Sequence, residues 1–264
     1  MRVEYVIYKP AGNDTAIVYG TNYNPEMKKN INDKIMNKHN NVEQVGFITQ
    51  NGNREIQMAG GEFCGNATRS AAFEYLDGNE GKVNILVNSQ KEIEAGVDKN
   101  KNAWCAIPIP KTNDIITEVK QGVYIVKIEG ITIVVLQDFV AYKYLKEKRD
   151  LKEIGRKFIK KLNLEKYSAV GVMFCEKYED NIKINPIVWV KEIDTLFYET
   201  ACGSGSTAVC MFETFFDKQT KTINIIQPSG GIITAKVEYE NGKYMKSIIS
   251  GKVEKEKEIY YIDI

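Results

Sequence analysis

The chain has 264 residues, 43% hydrophobic and 27% charged, which excludes a wholly disordered chain, a collagen and a coiled-coil rod. Lysine and arginine number 36 against 35 aspartates and glutamates, for a formal net charge of +1. That balance gives no support for a dedicated nucleic-acid binder, which carries a basic excess. The longest near-continuous apolar run, Ile131 to Leu136, is far shorter than the ~20 residues a membrane helix needs.

The elements follow in chain order. Val3, Tyr5 and Ile7 alternate with positions expected to be polar or exposed, the period of a strand. With Arg2 and Glu4 among them, this start reads as a strand, not as a signal peptide. Ala11-Gly12-Asn13-Asp14 is a turn signal and Ala16 to Tyr19 a second strand. Pro25 to Lys38 is a lysine-rich amphipathic helix. Val45 to Thr49 is a short strand, followed by a turn at 51–53, and Ile56 to Met58 resumes the sheet. A glycine-rich stretch from Gly60 to Asn66 opens a helix to about Leu76. Strands follow at Val83 to Val87, Glu92 to Val97 and Ala103 to Ile107. Pro108 and Pro110 mark a crossing between halves. Further strands are expected at Val123 to Ile128 and Ile131 to Leu136, then a charged amphipathic helix at about Leu151 to Leu162. Strands at Ala169 to Phe174 and Ile184 to Val190 precede a second glycine-rich helix start, Glu199 to Gly205, with its helix ending near Phe216. The chain closes with strands at Thr222 to Ile226, Ile232 to Tyr239, Lys246 to Ile249 and Ile259 to Ile262.

Two segments match. Cys64-Gly65-Asn66-Ala67-Thr68-Arg69 and Cys202-Gly203-Ser204-Gly205-Ser206-Thr207 each read Cys-Gly, then small and polar residues, then a helix. They lie about half a chain length apart, which suggests an internal duplication. A thiol at a helix start meets unpaired backbone N–H groups and the positive end of the helix dipole. Both favour thiolate. The following glycine lets a ligand approach the backbone, and the same N–H groups suit a carboxylate. Brought together across a cleft, two such starts would hold one amino-acid carboxylate between two thiols. One thiolate would take the α-proton and the opposite thiol would deliver a proton to the other face, inverting the centre. Cys105, Cys175 and Cys210 lie in strand-like or mid-helix apolar runs and read as small buried hydrophobes. The one histidine, His39, would have to serve any histidine-based mechanism. Its polar surroundings read as a surface position near a helix end. No Cys-x-x-Cys pair offers a zinc site. The odd cysteine count and the lack of a disulfide framework point to the cytoplasm.

The segments Gly61 to Thr68 and Glu199 to Gly205 resemble the two catalytic signatures of the diaminopimelate epimerase family. Gly12-Asn13-Asp14, Gln44 (expected just before a strand) and Gln227-Pro228-Ser229-Gly230-Gly231 resemble further family segments, over most of the chain. The resemblance implies an α/β (α+β) fold of two pseudo-symmetric halves, each a curved, mostly antiparallel sheet wrapped around a central helix. The halves would be 1–114, with 252–264 returning to it, and 115–251. The site would lie in the cleft between them, which would close on substrate. The resemblance implies proton transfer by Cys64 and Cys202 without cofactor or metal. It also implies substrate contacts from Asn13, Gln44, Gly65, Asn66, Gly203 and Ser204. The partners expected are a small amino-acid substrate and a second copy in a homodimer, with neither nucleic acid nor membrane.

Departures from that family bear on the substrate. Its epimerases carry an arginine shortly before the second cysteine that grips a second carboxylate; the stretch 192–199 here has none. The family's Asn-Pro-His segment is replaced by Gly130-Ile131-Thr132-Ile133, and its later strand asparagine by Gly171 or a neighbour. Within the family the wording is most similar to the histidine racemases, which implies interconversion of L- and D-histidine. Phe197 and Tyr198 are candidates to line an imidazole pocket, against ordinary core packing. The alternatives are a diaminopimelate epimerase with an altered distal site, a proline or hydroxyproline racemase, and a non-catalytic amino-acid-binding protein. Another is a thiol redox switch, unusual in a reducing cytoplasm.

Overall fold

The computed structural model describes residues 1–49, 52–112, 114–191 and 194–264. Asn51 of the expected turn, and Glu192 and Ile193 before the second cysteine, lie outside the described residues. The first elements are β1 (Arg2–Lys9), β2 (Asp14–Tyr19), α1 (Pro25–Lys38), β3 (Val42–Ile48), β4 (Glu55–Met58) and α2 (Gly65–Tyr75). Next come β5 (Gly81–Val87), β6 (Lys91–Val97), β7 (Asn102–Ala106), β8 (Ile116–Lys120), β9 (Val123–Ile128) and β10 (Ile131–Leu136). Then follow α3 (Asp138–Lys146), α4 (Leu151–Lys161), β11 (Ala169–Tyr178), β12 (Asn181–Val190), β13 (Thr195–Tyr198) and α5 (Gly203–Asp217). The chain ends with β14 (Lys221–Ile226), β15 (Ile232–Glu240), β16 (Lys243–Lys252), β17 (Glu254–Lys255) and β18 (Tyr260–Asp263). This is a mixed α+β fold, rich in strand and poor in helix. No described helix is long and apolar enough to cross a membrane.

The chain divides into two compact units, Met1–Ala106 with Ser250–Ile264, and Ile107–Ile249. In the first, β1 pairs antiparallel with β2, β17 and β18. β2 and β3 run parallel, as do β4 and β5, while β3–β4, β5–β6 and β6–β7 are antiparallel. Helix α1 begins at Asn24, whose side chain accepts from the Met27 N–H at 2.8 Å, with Pro25 in the first turn. It buries Ile31 and Ile35 against Val3, Tyr5, Ile7, Val18 and Phe47. Helix α2 packs against β2, β3, β5, β6 and β7. The alternation expected along β1 is therefore incomplete. Val6 and Tyr8 are buried too, because a strand covered on both faces needs apolar residues at every position.

In the second unit β10 and β11 run parallel, as do β12 and β14. β8–β9, β9–β10, β11–β12, β12–β13 and β14–β15 are antiparallel. Helices α3 and α4 cover a core of Val134, Leu136, Val172, Phe174, Ile187 and Trp189, and α5 lies against β9, β10, β11, β12, β14 and β15. Asp150 caps α4 by accepting from the N–H groups of Lys152 and Glu153. Gly155 lets that helix lie close to β12, since a Cβ there would stand 2.8 Å from Ile187. Helix α3 was not expected from the sequence. Its only buried residue is Ala141, and Gln137 at its start makes no side-chain capping bond.

Candidate active site

Cys64 and Cys202 each stand at the N-cap of the helix that follows. Cys64 has φ −124° and ψ 114°, and Cys202 has φ −130° and ψ 109°. In both, Sγ accepts from the N–H three residues on, Ala67 at 3.5 Å and Gly205 at 3.3 Å. This is the role an Asp or Ser plays at other N-caps, here filled by a group that can also carry a proton. Neither helix has an acidic residue in its first turn, so each keeps its positive end uncompensated by its own side chains.

The first unit brings Asn13, Gln44, Cys64, Gly65 and Asn66 together. Asn13 is buried at φ 55°, at the end of the turn before β2. Gln44 lies within β3 rather than just before it, since β3 pairs with β2 from Val42 onward and places Gln44 opposite Thr15. There Gln44 Nε2 donates to Thr15 Oγ1 at 2.7 Å and to Asn13 O at 3.4 Å, while its Oε1 accepts from Cys64 Sγ at 2.8 Å. With its amide nitrogen so engaged, Gln44 Oε1 is aimed at the thiol. Asn66, buried on α2, has its Oδ1 held by Arg69 Nη2 at 2.9 Å.

In the second unit Cys202, Gly203 and Ser204 form the α5 start. Two buried side chains at these sites escaped the sequence reading as functional groups. Gln227 is 1% exposed. Its Oε1 accepts from the Cys202 N–H at 2.9 Å, and its Nε2 donates to Ser206 Oγ and Ile225 O, each at 3.0 Å. Arg69 is wholly buried on α2. The signal for both was a polar residue interrupting an apolar or small-residue run: Gln227 after Ile225 and Ile226, and Arg69 ahead of Ser70, Ala71 and Ala72.

Other residues differ from expectation. His39 is half-buried and not a plain surface residue: its Nε2 lies 2.8 Å from Tyr5 Oη, and its ring packs edge-on against Tyr5 and Tyr260. Phe197 and Tyr198 are not core residues. They are 44% and 39% exposed on β13, with Tyr198 Oη donating to Asn185 Oδ1 at 2.7 Å. Cys105, Cys175 and Cys210 are buried. Burial pushes the thiols of Cys105 and Cys210 up to about 12 and raises that of Cys175 further, so none is a nucleophile near neutrality. Among the described residues no group of three or more His, Cys, Asp or Glu side chains could hold a metal ion.

The family profile described as "Histidine racemase CntK N-terminal domain" matches residues 2–257. A histidine racemase of Fusobacterium nucleatum subsp. nucleatum is 32% identical over 244 residues, 86% of this chain and 87% of that protein. In fold, the chain is similar to a phenazine biosynthesis PhzF-family protein from Enterococcus faecalis, with a TM-score of 0.62, 16% identity and 100% of each chain covered. It is also similar to a hydroxyproline epimerase from Agrobacterium vitis, with a TM-score of 0.64, 10% identity and 99% and 92% of the two chains covered. A chain-long profile match and a close sequence relative, both racemases, make this protein an isomerase of the racemase/epimerase class. More narrowly, it belongs to the histidine racemase family.

Proposed function

We propose that the chain interconverts L- and D-histidine by proton transfer at the α-carbon, with Cys64 and Cys202 as the two acid–base groups and no cofactor. The observation that carries the reading is the matched N-cap geometry of the two thiols. A thiolate at that position is a stronger acceptor than a thiol for the Ala67 or Gly205 N–H, so the helix start favours the base form. One thiolate takes the α-proton as the second thiol gives its proton to the opposite face. The C–H electron pair passes into the carboxylate, whose growing charge the helix N–H groups stabilise. The reading requires that both thiols reach one α-carbon. It takes the two units as related halves, each supplying one thiol.

Asn13, Gln44, Gly65 and Asn66, with Gly203 and Ser204, are assigned to the α-carboxylate and α-ammonium groups. Phe197 and Tyr198 are assigned to the imidazole, to which their exposed rings can offer an aromatic face. The motif likeness to diaminopimelate epimerases supports the same α-carbon chemistry. The described stretch 194–201 holds no arginine for a second carboxylate, and that favours a substrate with one amino-acid head.

The test is α-proton exchange in D₂O, followed by NMR over L-amino acids and diaminopimelate, with reductant present and pyridoxal absent. Deuterium uptake and racemisation of histidine is the expected result. Exchange with diaminopimelate alone would overturn the substrate assignment, and no exchange with any compound would overturn the reaction.

A further inference from the structure

A helix holds the residues that follow its N-cap, not those that lead into it. The carbonyl of the cap residue joins the helix ladder, while its N–H and the segment before it must be fixed by other groups. Both thiols have the helix side of this arrangement in the same form. Cys64 O accepts from the Thr68 N–H at 2.9 Å and from Thr68 Oγ1 at 2.8 Å. Cys202 O accepts from the Ser206 N–H at 3.0 Å and from Ser206 Oγ at 2.7 Å. On the other side, each unit sets a carboxamide against the chain that feeds the cysteine.

In the first unit that carboxamide is Asn88, the residue directly after β5. Its Oδ1 accepts from the Met58 N–H at 2.8 Å, and its Nδ2 donates to Gly61 O and to Glu62 O, each at 2.8 Å. Asn88 thereby ties the end of β4 to the two residues that stand just ahead of Phe63 and Cys64. In the second unit it is Gln227, the residue directly after β14. Its Oε1 accepts from the Cys202 N–H, and its Nε2 donates to Ser206 Oγ and Ile225 O. Because Ser206 Oγ also donates to Cys202 O, this one side chain braces the cysteine backbone on both sides. Both residues follow the strand that comes after the cysteine-started helix, and both accept one bond and donate two.

Turn formation does not require these side chains. Asn88 has φ 51°, a value that glycine meets equally well. Its neighbour Ser89, at φ 55°, turns its hydroxyl to Glu55 Oε1 instead. The turn at Gln227 is closed by backbone bonds, from the Gln227 N–H to Gly231 O and from the Gly230 N–H to Gln227 O, each at 2.9 Å.

We propose that Asn88 and Gln227 are positioning residues, one for each thiol: Asn88 fixes the approach to Cys64, and Gln227 fixes the backbone of Cys202. This rests on the two-thiol reading above. Proton transfer at carbon needs the thiol within a fraction of an ångström of its place, and a 1 Å misplacement costs about 10²-fold in rate. A cap thiol on an untethered segment has no such precision. The effect of each carboxamide is local to its own thiol.

The test is alkylation by iodoacetamide across a pH series without substrate, with each modified cysteine identified by mass spectrometry. No turnover is needed, so a failure here is distinct from a failure of the racemase reading. Asn88→Gly keeps the turn and removes the carboxamide. It should move the Cys64 midpoint by about half a pH unit or more, a threefold change in acidity, and leave Cys202 unmoved. The shift can take either direction, because Cys64 Sγ lies between Gln44 Oε1, which favours the thiol, and the Ala67 N–H, which favours the thiolate. Ser89→Gly, which alters the same turn without touching the clamp, should leave both midpoints in place. Gln227→Met should raise the Cys202 midpoint by a similar amount, as the Gly205 N–H loses a fixed thiolate, and leave Cys64 unmoved. The buried Cys105 and Cys210 should stay unreactive throughout. An unmoved Cys64 in folded Asn88→Gly overturns the proposal, as does the same shift in Ser89→Gly or an equal shift of both thiols. Reaction at Cys105 or Cys210 also overturns it, since that marks a general loosening of the fold. If Gln227→Met does not fold, the comparison of Asn88→Gly with Ser89→Gly decides.

Discussion

At the residue scale, the proposed reaction gives each N-cap cysteine two jobs that substitution can separate. In Cys64→Ala or Cys202→Ala the helix loses one capping acceptor, about 1 kcal/mol of stability, while the reaction loses a proton carrier. Each variant should stay folded by circular dichroism and lose about 10²–10⁴-fold or more in racemisation rate, read by chiral chromatography. A second prediction concerns Gly205. A Cβ there would overlap Met173 Sδ and stand 3.2 Å from Cys202 Sγ. Gly205→Ala should therefore displace the thiol and depress racemisation while costing about 1–3 kcal/mol in urea denaturation. Local reasoning could separate Cys64 and Cys202 from the other three cysteines, because an adjacent glycine and a helix start are both encoded within a few residues. It could not show the importance of Gln227. That side chain acts on Cys202 from 25 positions away, in a segment whose only sequence signal was its likeness to a family loop.

At the scale of elements, α2 is anchored at both ends. Its far end carries Glu74, which accepts from Tyr8 Oη, from Tyr19 Oη at 2.6 Å and from Lys255 Nζ at 2.6 Å. These join α2 to β1, β2 and β17. Burial pushes the Glu74 carboxyl up, but the bonds from Lys255, Tyr19 and Tyr8 outweigh burial and hold it below its ordinary range. A carboxyl that is more acidic in the folded than in the unfolded chain stabilises the fold above its unfolded pKa. That contribution is lost as pH falls through the folded value. Glu74→Gln should cost about 1–3 kcal/mol at pH 7, and its Tm should fall less steeply than that of the wild type between pH 5 and pH 3 in a calorimetric series. Helix α3 illustrates why an element escapes local reading. Phe139, Val140, Tyr142 and Tyr144 suit a strand as well as a helix, and no capping bond marks its start. What holds it is Ala141 and its neighbours against the β10–β11 core.

At the scale of the whole molecule, each unit joins distant parts of the chain, and the first unit does so through the last strand. β18 pairs with β1, matching Val3 with Ile262 and Tyr5 with Tyr260. Tyr260 stacks on Tyr5 with ring centroids 5.5 Å apart, and His39, capping the end of α1, packs against both. Burial first, and the Lys38 charge second, lower the His39 pKa. The unfolded imidazole therefore binds a proton more readily than the folded one. This contribution is complete above about pH 6.5 and is lost as pH falls through the lower, folded value. His39→Gln should flatten the fall in Tm between pH 7 and pH 5, read by thermal melts in a buffer series.

The amino-acid sequence by itself determined most strands, four of the helices and the two cysteine starts. Each depends on near neighbours: periods of two or 3.6 residues, caps, glycines and turn residues acting within a few positions. Tertiary structure alone decided the rest. Parallel pairing of β2 with β3 sets Gln44 beside Cys64. Cover on both faces buries Val6 and Tyr8 as well as Val3 and Tyr5. Packing of α2 against its sheet closes a fully buried pocket around Arg69. Burial and long-range pairing depend on which surfaces meet, so the environment of a charge emerges only once separate elements have come together.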